Sequence, residues 1–192
     1  MLINAYNALT VKWILDHYPV QSIWNTSAPF TEAHHRLGGR MVSLDQIESQ
    51  LRAMGDPRIH AALVCAARSC PPLRREAYVS GRLDQQLDDN VRQWLADRSL
   101  STFDSARAQA EVGPIFKWYG KDFDSYPGGL AGFLLQYAPP DAKAALGERK
   151  FQIRFKDYDW GLNDQSRLGT EYSWLRFGVD WVRNWFLGLD HR

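Results

Sequence analysis

The sequence predicts an α+β fold, a mostly helical single domain with a small antiparallel sheet. Apolar residues recur at helical spacing through most of the chain, and short alternating or glycine-punctuated runs interrupt them. At 192 residues with 45% apolar composition, the chain is long enough to bury one sizeable core. The spacing places that domain at residues 1–167, with a segment of different character at 168–192.

Residues 2–18 read as a helix, because Ile3, Tyr6, Leu9, Trp13 and either Val11 or Leu15 recur near the helical period. Pro19 stops it. A domain starting inside an apolar helix with no cap before it points to missing preceding elements or a misassigned start. Residues 19–34 are loop-like. His35-Arg36-Leu37 and Arg40-Met41-Val42 then read as a hairpin, whose Gly38-Gly39 supplies the positive φ angles of a tight primed turn. Ser43 caps a helix running to about Met54, with Gln46 completing a capping box. Asp56 and Pro57 open a helix over Arg58–Ala67, and Pro71-Pro72 ends it, so that Cys70 lies outside.

Arg82–Arg98 is the clearest amphipathic helix, with a stripe of Leu83, Leu87, Val91, Trp94 and Leu95. Short strands are expected near Leu100–Phe103 and Ala110–Val112. Gly113-Pro114 opens a helical turn through Tyr119, Gly128–Tyr137 is another apolar helix, and an Ala-rich helix ends at Gly147. Phe151–Phe155 alternates with the period of a half-buried strand. In the tail, Trp174, Phe177, Trp181, Trp185 and Leu189 share one helical face.

Composition excludes several functions. Lys plus Arg (23) against Asp plus Glu (22) leaves a net charge of +1, and no basic stripe interleaves with aromatics. Nucleic acid is therefore not an expected partner. Two cysteines are too few for a disulfide scaffold, and no close-set ligand doublets are present, so neither metal nor cofactor is expected. His34 and His35 are adjacent beside a hairpin, where neighbours point to opposite faces. No stretch approaches about 18 apolar residues, so no transmembrane segment is expected. The N-terminus lacks the pattern of a signal peptide. The compartment is left open, export included, since the N-terminus reads as incomplete. The tail contains Arg176, Asp180 and Arg183. It packs on the domain or offers a protein or membrane-surface contact through Trp174, Phe177, Trp181 and Trp185.

Chemistry is expected in Asp56–Pro72, which carries His60, Cys65 and Cys70. On a continuous helix, positions five apart differ by about 140°, so His60 and Cys65 point to different sides. A dyad needs an early helix break, a return of Cys70, or a partner from elsewhere. Both cysteines lie toward a helix C-terminus, where the dipole disfavours a thiolate. Each candidate also has a structural reading: Cys65 as a small buried hydrophobe, Cys70 as a turn residue or disulfide partner, His60 as a core histidine. A Cys65–Cys70 bond is excluded within a helix but feasible where the chain breaks.

Arg58 is a binding candidate in the same segment. Asn4, Tyr6 and Asn7 form a second constellation, in which the two amides share a helix face and either tie loops to the core or meet a substrate. Asp159 and Asn163 in Tyr158-Asp159-Trp160-Gly161-Leu162-Asn163 cap a turn or point into a cleft.

Asn4-Ala-Tyr-Asn-Ala-Leu-Thr, Leu37-Gly-Gly-x-x-x-Ser-Leu-Asp-x-Ile-Glu, Asp56-Pro-Arg-Ile-His through Ser69-Cys-Pro-Pro, and Tyr158-Asp-Trp-x-Leu-Asn resemble the signature blocks of the domain of unknown function 547 family, in order over residues 3–163. The family's name assigns no activity; the resemblance implies a thiol-enzyme reading and, for many bacterial members, export. A histidine commonly succeeds the Ile-Glu pair in that pattern, where this chain has Ser49. If that histidine is the general base, the resemblance implies an impaired protein.

These residues admit three functions. The first is a cysteine-dependent hydrolase or acyl transferase acting on a small molecule or peptide, with Cys65 as nucleophile (Cys70 second), His60 as base, and Asp159 or an Asn of the 4–7 block orienting it. The second is a non-catalytic protein-interaction domain with structural cysteines. The third is a redox role through reversible Cys65–Cys70 pairing.

Overall fold

The computed structural model describes residues 1–147 and 151–164; the expected tail helix, with Trp174, Phe177, Trp181 and Trp185, lies outside the described residues. The fold is α+β and mostly helical. The chain divides into two compact units. One comprises Met1–Met54, Leu63–Cys70 and the described residues from Asp159; the other comprises Gly55–Ala62 and Pro71–Tyr158.

In the first unit, helix α1 spans Leu2–His17 and buries Ile3, Tyr6, Asn7, Thr10 and Ile14. Val11 and Leu15, each a candidate for the expected apolar face, are instead exposed at 39% and 69%. The buried stripe takes polar Asn7 and Thr10 in their place. Thr10 is accommodated because its hydroxyl donates to the Tyr6 carbonyl one turn back.

Strands β1 (His35–Leu37) and β2 (Arg40–Val42) form the expected antiparallel hairpin. Gly38 and Gly39 carry φ of 58° and 82°, as a primed turn demands. Helix α2, Leu44–Arg52, starts with the expected capping box: Gln46 N–H donates to Ser43 Oγ, and Ser43 N–H donates to Gln46 Oε1. Ile23, Phe30, Leu44, Ile47 and Leu51 fill the core, and Trp24 meets Trp160 edge-on at 5.3 Å.

Helix α3 spans only Ile59–Ala62, which corrects the expected helix over Arg58–Ala67. In the second unit, α4 (Leu83–Ala96) buries Leu87, Val91, Trp94 and Leu95 as its stripe foretold, while Leu83 is exposed. Strands β3 (Thr102–Asp104), β4 (Gln109–Val112) and β5 (Gln152–Phe155) form a three-stranded sheet. This sheet is mixed rather than purely antiparallel, because β4 pairs antiparallel with β3 and parallel with β5. Strand β5 does not alternate as expected; only Ile153 among its residues is partly covered. Helices α5 (Ile115–Trp118), α6 (Gly129–Tyr137) and α7 (Pro140–Leu146) complete the unit.

Its core is aromatic. Trp94 stacks on Phe116 at 4.3 Å, and Phe116, Phe123 and Phe133 form a fully buried chain of rings. Truncating the middle of such a chain leaves a cavity, so Phe123→Ala should cost about 3–5 kcal/mol, read as a lowered midpoint in urea unfolding.

A second expectation concerns acid. His35 is buried, and its Nε2 has no hydrogen-bond partner among the described residues. Burial chiefly, then His34 and Lys12, hold its pKa below the ordinary 6.5, with Asp16 opposing. The unfolded chain therefore binds a proton below about pH 6.5 that the folded chain refuses, and stability falls as pH drops through that window. His35→Phe should flatten this slope in unfolding measurements between about pH 7 and pH 5.

Candidate thiol site

The geometry of residues 63–70 begins with a backbone that is prevented from continuing as a helix. Asn7 Oδ1 on α1 accepts the Val64 N–H at 3.1 Å. A Val64 N–H bonded to a side chain cannot bond back to the carbonyl a turn earlier. In the other unit, the fully buried Asn90 on α4 donates its amide to the Ala61 carbonyl, whose helical acceptor role is thereby satisfied, and also to the Pro72 carbonyl. Side-chain amides thus replace the helical ladder at Ala61 and at Val64. The helix ends three residues before Cys65, so neither cysteine stands at a helix C-terminus as expected.

Beyond the break the chain makes a short excursion. Ala66 adopts φ of 61°, left-handed and uncommon for a residue with a Cβ. Ala67 pairs antiparallel with Leu162, flanked by Arg68 N–H to the Gly161 carbonyl at 2.9 Å and Asn163 N–H to the Ala66 carbonyl at 2.8 Å. Cys70 N–H closes a turn on the Ala67 carbonyl at 3.1 Å. Such strain persists only where surrounding bonds over-determine it, and these bonds do so.

The excursion brings the two sulfurs together: Cys65 Sγ and Cys70 Sγ lie 2.7 Å apart in hydrogen-bond contact, both in the thiol form. Cys65 N–H also donates to Cys70 Sγ at 2.8 Å. Cys65 is half-buried, whereas Cys70 is 4% exposed.

The remaining candidates fall into place around this loop or elsewhere. Asp159 caps its own turn: Oδ1 accepts Gly161 N–H at 2.7 Å, and its N–H donates to Ser69 Oγ. Arg68 reaches its Oδ2 at 3.5 Å. A Cβ at Gly161 would lie 2.8 Å from Asp159 Oδ1 and 3.1 Å from Arg68 Nη1, so a larger residue there would have to push these side-chain ends aside. Asn163 is exposed and serves the loop through its backbone. Tyr6 is buried in the core and Asn4 is half-buried on the same helix.

His60, in the other unit, is 4% exposed and stacks on Tyr119 at 4.4 Å. Its Nε2 meets Asp122 Oδ2 at 2.8 Å, so the carboxylate on this imidazole is Asp122. Sequence reading did not single out Asp122; it is 62 residues away, in a single 3₁₀ turn (Gly120–Phe123) with no motif to mark it.

Arg58 is not placed to take an anion. Asp56 grips it through Nε and Nη2, Asp84 through Nη2 and Asp88 through Nη1. The bond to Asp56 leads in raising its pKa; burial opposes, and Asp88 and Asp84 reinforce it. Ser49 lines a cleft of about 580 Å³ with Arg40, Met41, Asp45, Gln46 and Gln50, apart from the thiol loop in sequence. Among the described residues, no cluster of three or more His, Cys, Asp or Glu could hold a metal. No described helix is long and apolar enough to cross a membrane.

Fold and loop together define an α+β protein with a paired-thiol turn. The chain resembles the family described as "Protein of unknown function, DUF547", whose model matches residues 1–95. That range takes in Asn4–Asn7, the hairpin, α2 and both cysteines; the Tyr158–Asn163 block lies beyond it. No curated protein and no solved structure matches.

The break makes a specific demand on Asn7. Asn7→Leu should leave the buried Val64 N–H without its acceptor and cost about 1–3 kcal/mol. Unfolding midpoints and faster exchange of the Val64 amide would show it.

Proposed function

We propose that this chain is a thiol–disulfide redox protein whose reactive group is the Cys65–Cys70 pair. The observation that carries the reading is the contact of the two sulfurs, 2.7 Å apart within one turn. A disulfide has sulfurs about 2.05 Å apart, so closing the bond asks for a shift of less than about 1 Å. Cys65, the more accessible of the two, is the attacking thiol, and Cys70 resolves.

In the forward direction, the Cys65 thiolate attacks one sulfur of a substrate disulfide. An S–S bond forms to Cys65, the substrate S–S bond breaks, and one substrate thiolate leaves. Cys70 Sγ then attacks Cys65 Sγ, the mixed disulfide breaks, and the second substrate thiolate leaves. The substrate has gained two electrons and the protein holds a Cys65–Cys70 disulfide, which a second dithiol reduces. The substrate class is a small-molecule or peptide disulfide.

A cysteine-dependent hydrolase or acyl transferase uses the same nucleophile and is the second reading. What favours it is that Cys65 is the more accessible sulfur of the pair. What weighs against it is that each cysteine's own N–H is already bonded, Cys65's to Cys70 Sγ and Cys70's to the Ala67 carbonyl. Neither serves directly as an oxyanion donor.

The test is incubation with an oxidised low-molecular-weight disulfide and, separately, with an activated ester, each read by intact mass. The redox reading expects the wild-type protein to lose about 2 Da as an intramolecular disulfide, Cys70→Ser to accumulate the mixed disulfide on Cys65, and Cys65→Ser to be unreactive. Acylation of Cys65 by the ester with no disulfide formation would move the assignment to the hydrolase reading. Two thiols inert to both reagents would leave the cysteines structural and the chain an interaction domain.

A further inference from the structure

A concave feature of the first unit plays no part in the redox reading: the cleft of about 580 Å³ lined by β2 and the first turns of α2. Its size suits a small molecule, since such sites run from roughly 300 to 1,000 Å³. Strand β2 contributes Arg40, Met41 and Val42. Helix α2 contributes Gln46, Ser49 and Gln50, which at i, i+3 and i+4 share one face. Its Leu44, Ile47, Glu48 and Leu51 are buried, so α2 turns a face of amides and a hydroxyl to the cleft.

The charge in this cleft is carried by Arg40. It is exposed and makes no ion pair or side-chain hydrogen bond among the described residues. The end of α2 is already spent, because Gln46 N–H donates to Ser43 Oγ and Asp45 N–H donates to the Phe30 carbonyl, each at 3.0 Å. Recognition of an anion therefore falls to the Arg40 guanidinium, whose planar fork matches a carboxylate. Asp45 lines the same cleft and disfavours a ligand with several negative charges, such as a phosphate ester.

The remaining lining sets the rest of the ligand. Met41, 51% exposed beside Arg40, is an adaptable apolar surface. The Gln46 amide keeps its NH₂ donors while its Oε1 accepts the Ser43 N–H, and Ser49 and Gln50 can each donate and accept. Half-buried Thr31, in the same wall, has a buried hydroxyl with no hydrogen-bond partner among the described residues. Buried hydroxyls are met by a partner in folded proteins, and one left unmet in a cleft wall fits a site whose occupant supplies it.

We propose that this cleft binds a small monocarboxylate carrying an amide and an apolar side chain, the chemistry shared by an N-acyl amino acid and the C-terminal residue of a peptide. The carboxylate pairs with Arg40, the amide bonds the Gln46, Ser49 and Gln50 face, and the side chain lies on Met41.

Amide chemical shifts of the isotope-labelled full chain, titrated with N-acetyl-leucine, read this directly. Shifts should concentrate at Arg40–Val42 and at residues 46–50. N-acetyl-leucinamide, which lacks the charge, should bind about tenfold or more weakly. Arg40→Gln, at an exposed position, should keep the spectrum of the fold and erase the difference between acid and amide. An N-acetylated tripeptide ending in leucine separates the two sources. Tighter binding than N-acetyl-leucine gives the site to a peptide end, and equal or weaker binding gives it to the N-acyl amino acid. No shifts at these residues with either carboxylate, equal binding of acid and amide, or a preference that survives Arg40→Gln would each overturn the proposal.

Discussion

The hydrogen bond from the Val64 N–H to Asn7 Oδ1 is the constraint on which the thiol loop depends. A helix continues as long as each N–H finds the carbonyl four residues back, and Val64 spends its N–H on a side chain 57 residues away in sequence. With the ladder interrupted, Ala66 can take its left-handed turn and Cys65 no longer points where a helix would send it. The cost of an amide on an otherwise apolar helix is offset because this amide is paired, and because the pairing satisfies a buried backbone donor.

Turn and cap signals written locally in the sequence translated into structure, and distant pairings did not. The capping box at Ser43 and Gln46, the Gly38-Gly39 turn and the apolar stripe of α4 are each written within a few consecutive residues. The early end of α3 is not, because the residues responsible, Asn7 and Asn90, act across 57 and 29 positions. The parallel pairing of β4 with β5 joins strands separated by several helices, and no periodicity announces a partner. The face of α1 misled for a different reason: hydrophobicity marks what packs, and Val11 and Leu15 are apolar without being covered by the described residues.

The same contrast separates the candidate residues. His60, Cys65 and Cys70 stood out by residue type and closeness in sequence; the pairing of the cysteines was one of several alternatives there, and the partner of His60 was not legible. His60 bonds Asp122, and the cysteines meet each other. Arg58 was a binding candidate in its segment and is held by three carboxylates, two of them contributed by α4. A guanidinium held by three carboxylates ties the start of α3 to α4 and sits in a negative environment that disfavours an anionic substrate.

The loop between the cysteines is pinned by its backbone rather than by its side chains. Ala66, Arg68 and Cys70 each have a main-chain group bonded within the unit, through Asn163, Gly161 and Ala67 in turn. A loop whose backbone is fixed while its two sulfurs touch has already met most of the conformational cost of joining them, since closing a ring is expensive chiefly in the ordering of its chain. On the proposed redox reading, oxidation and reduction would therefore proceed on one backbone, with the sulfurs moving and the turn standing still. On that reading, reactivity would depend on access to Cys65 and on the Cys65 N–H bonded to Cys70 Sγ, not on a rearrangement of the fold.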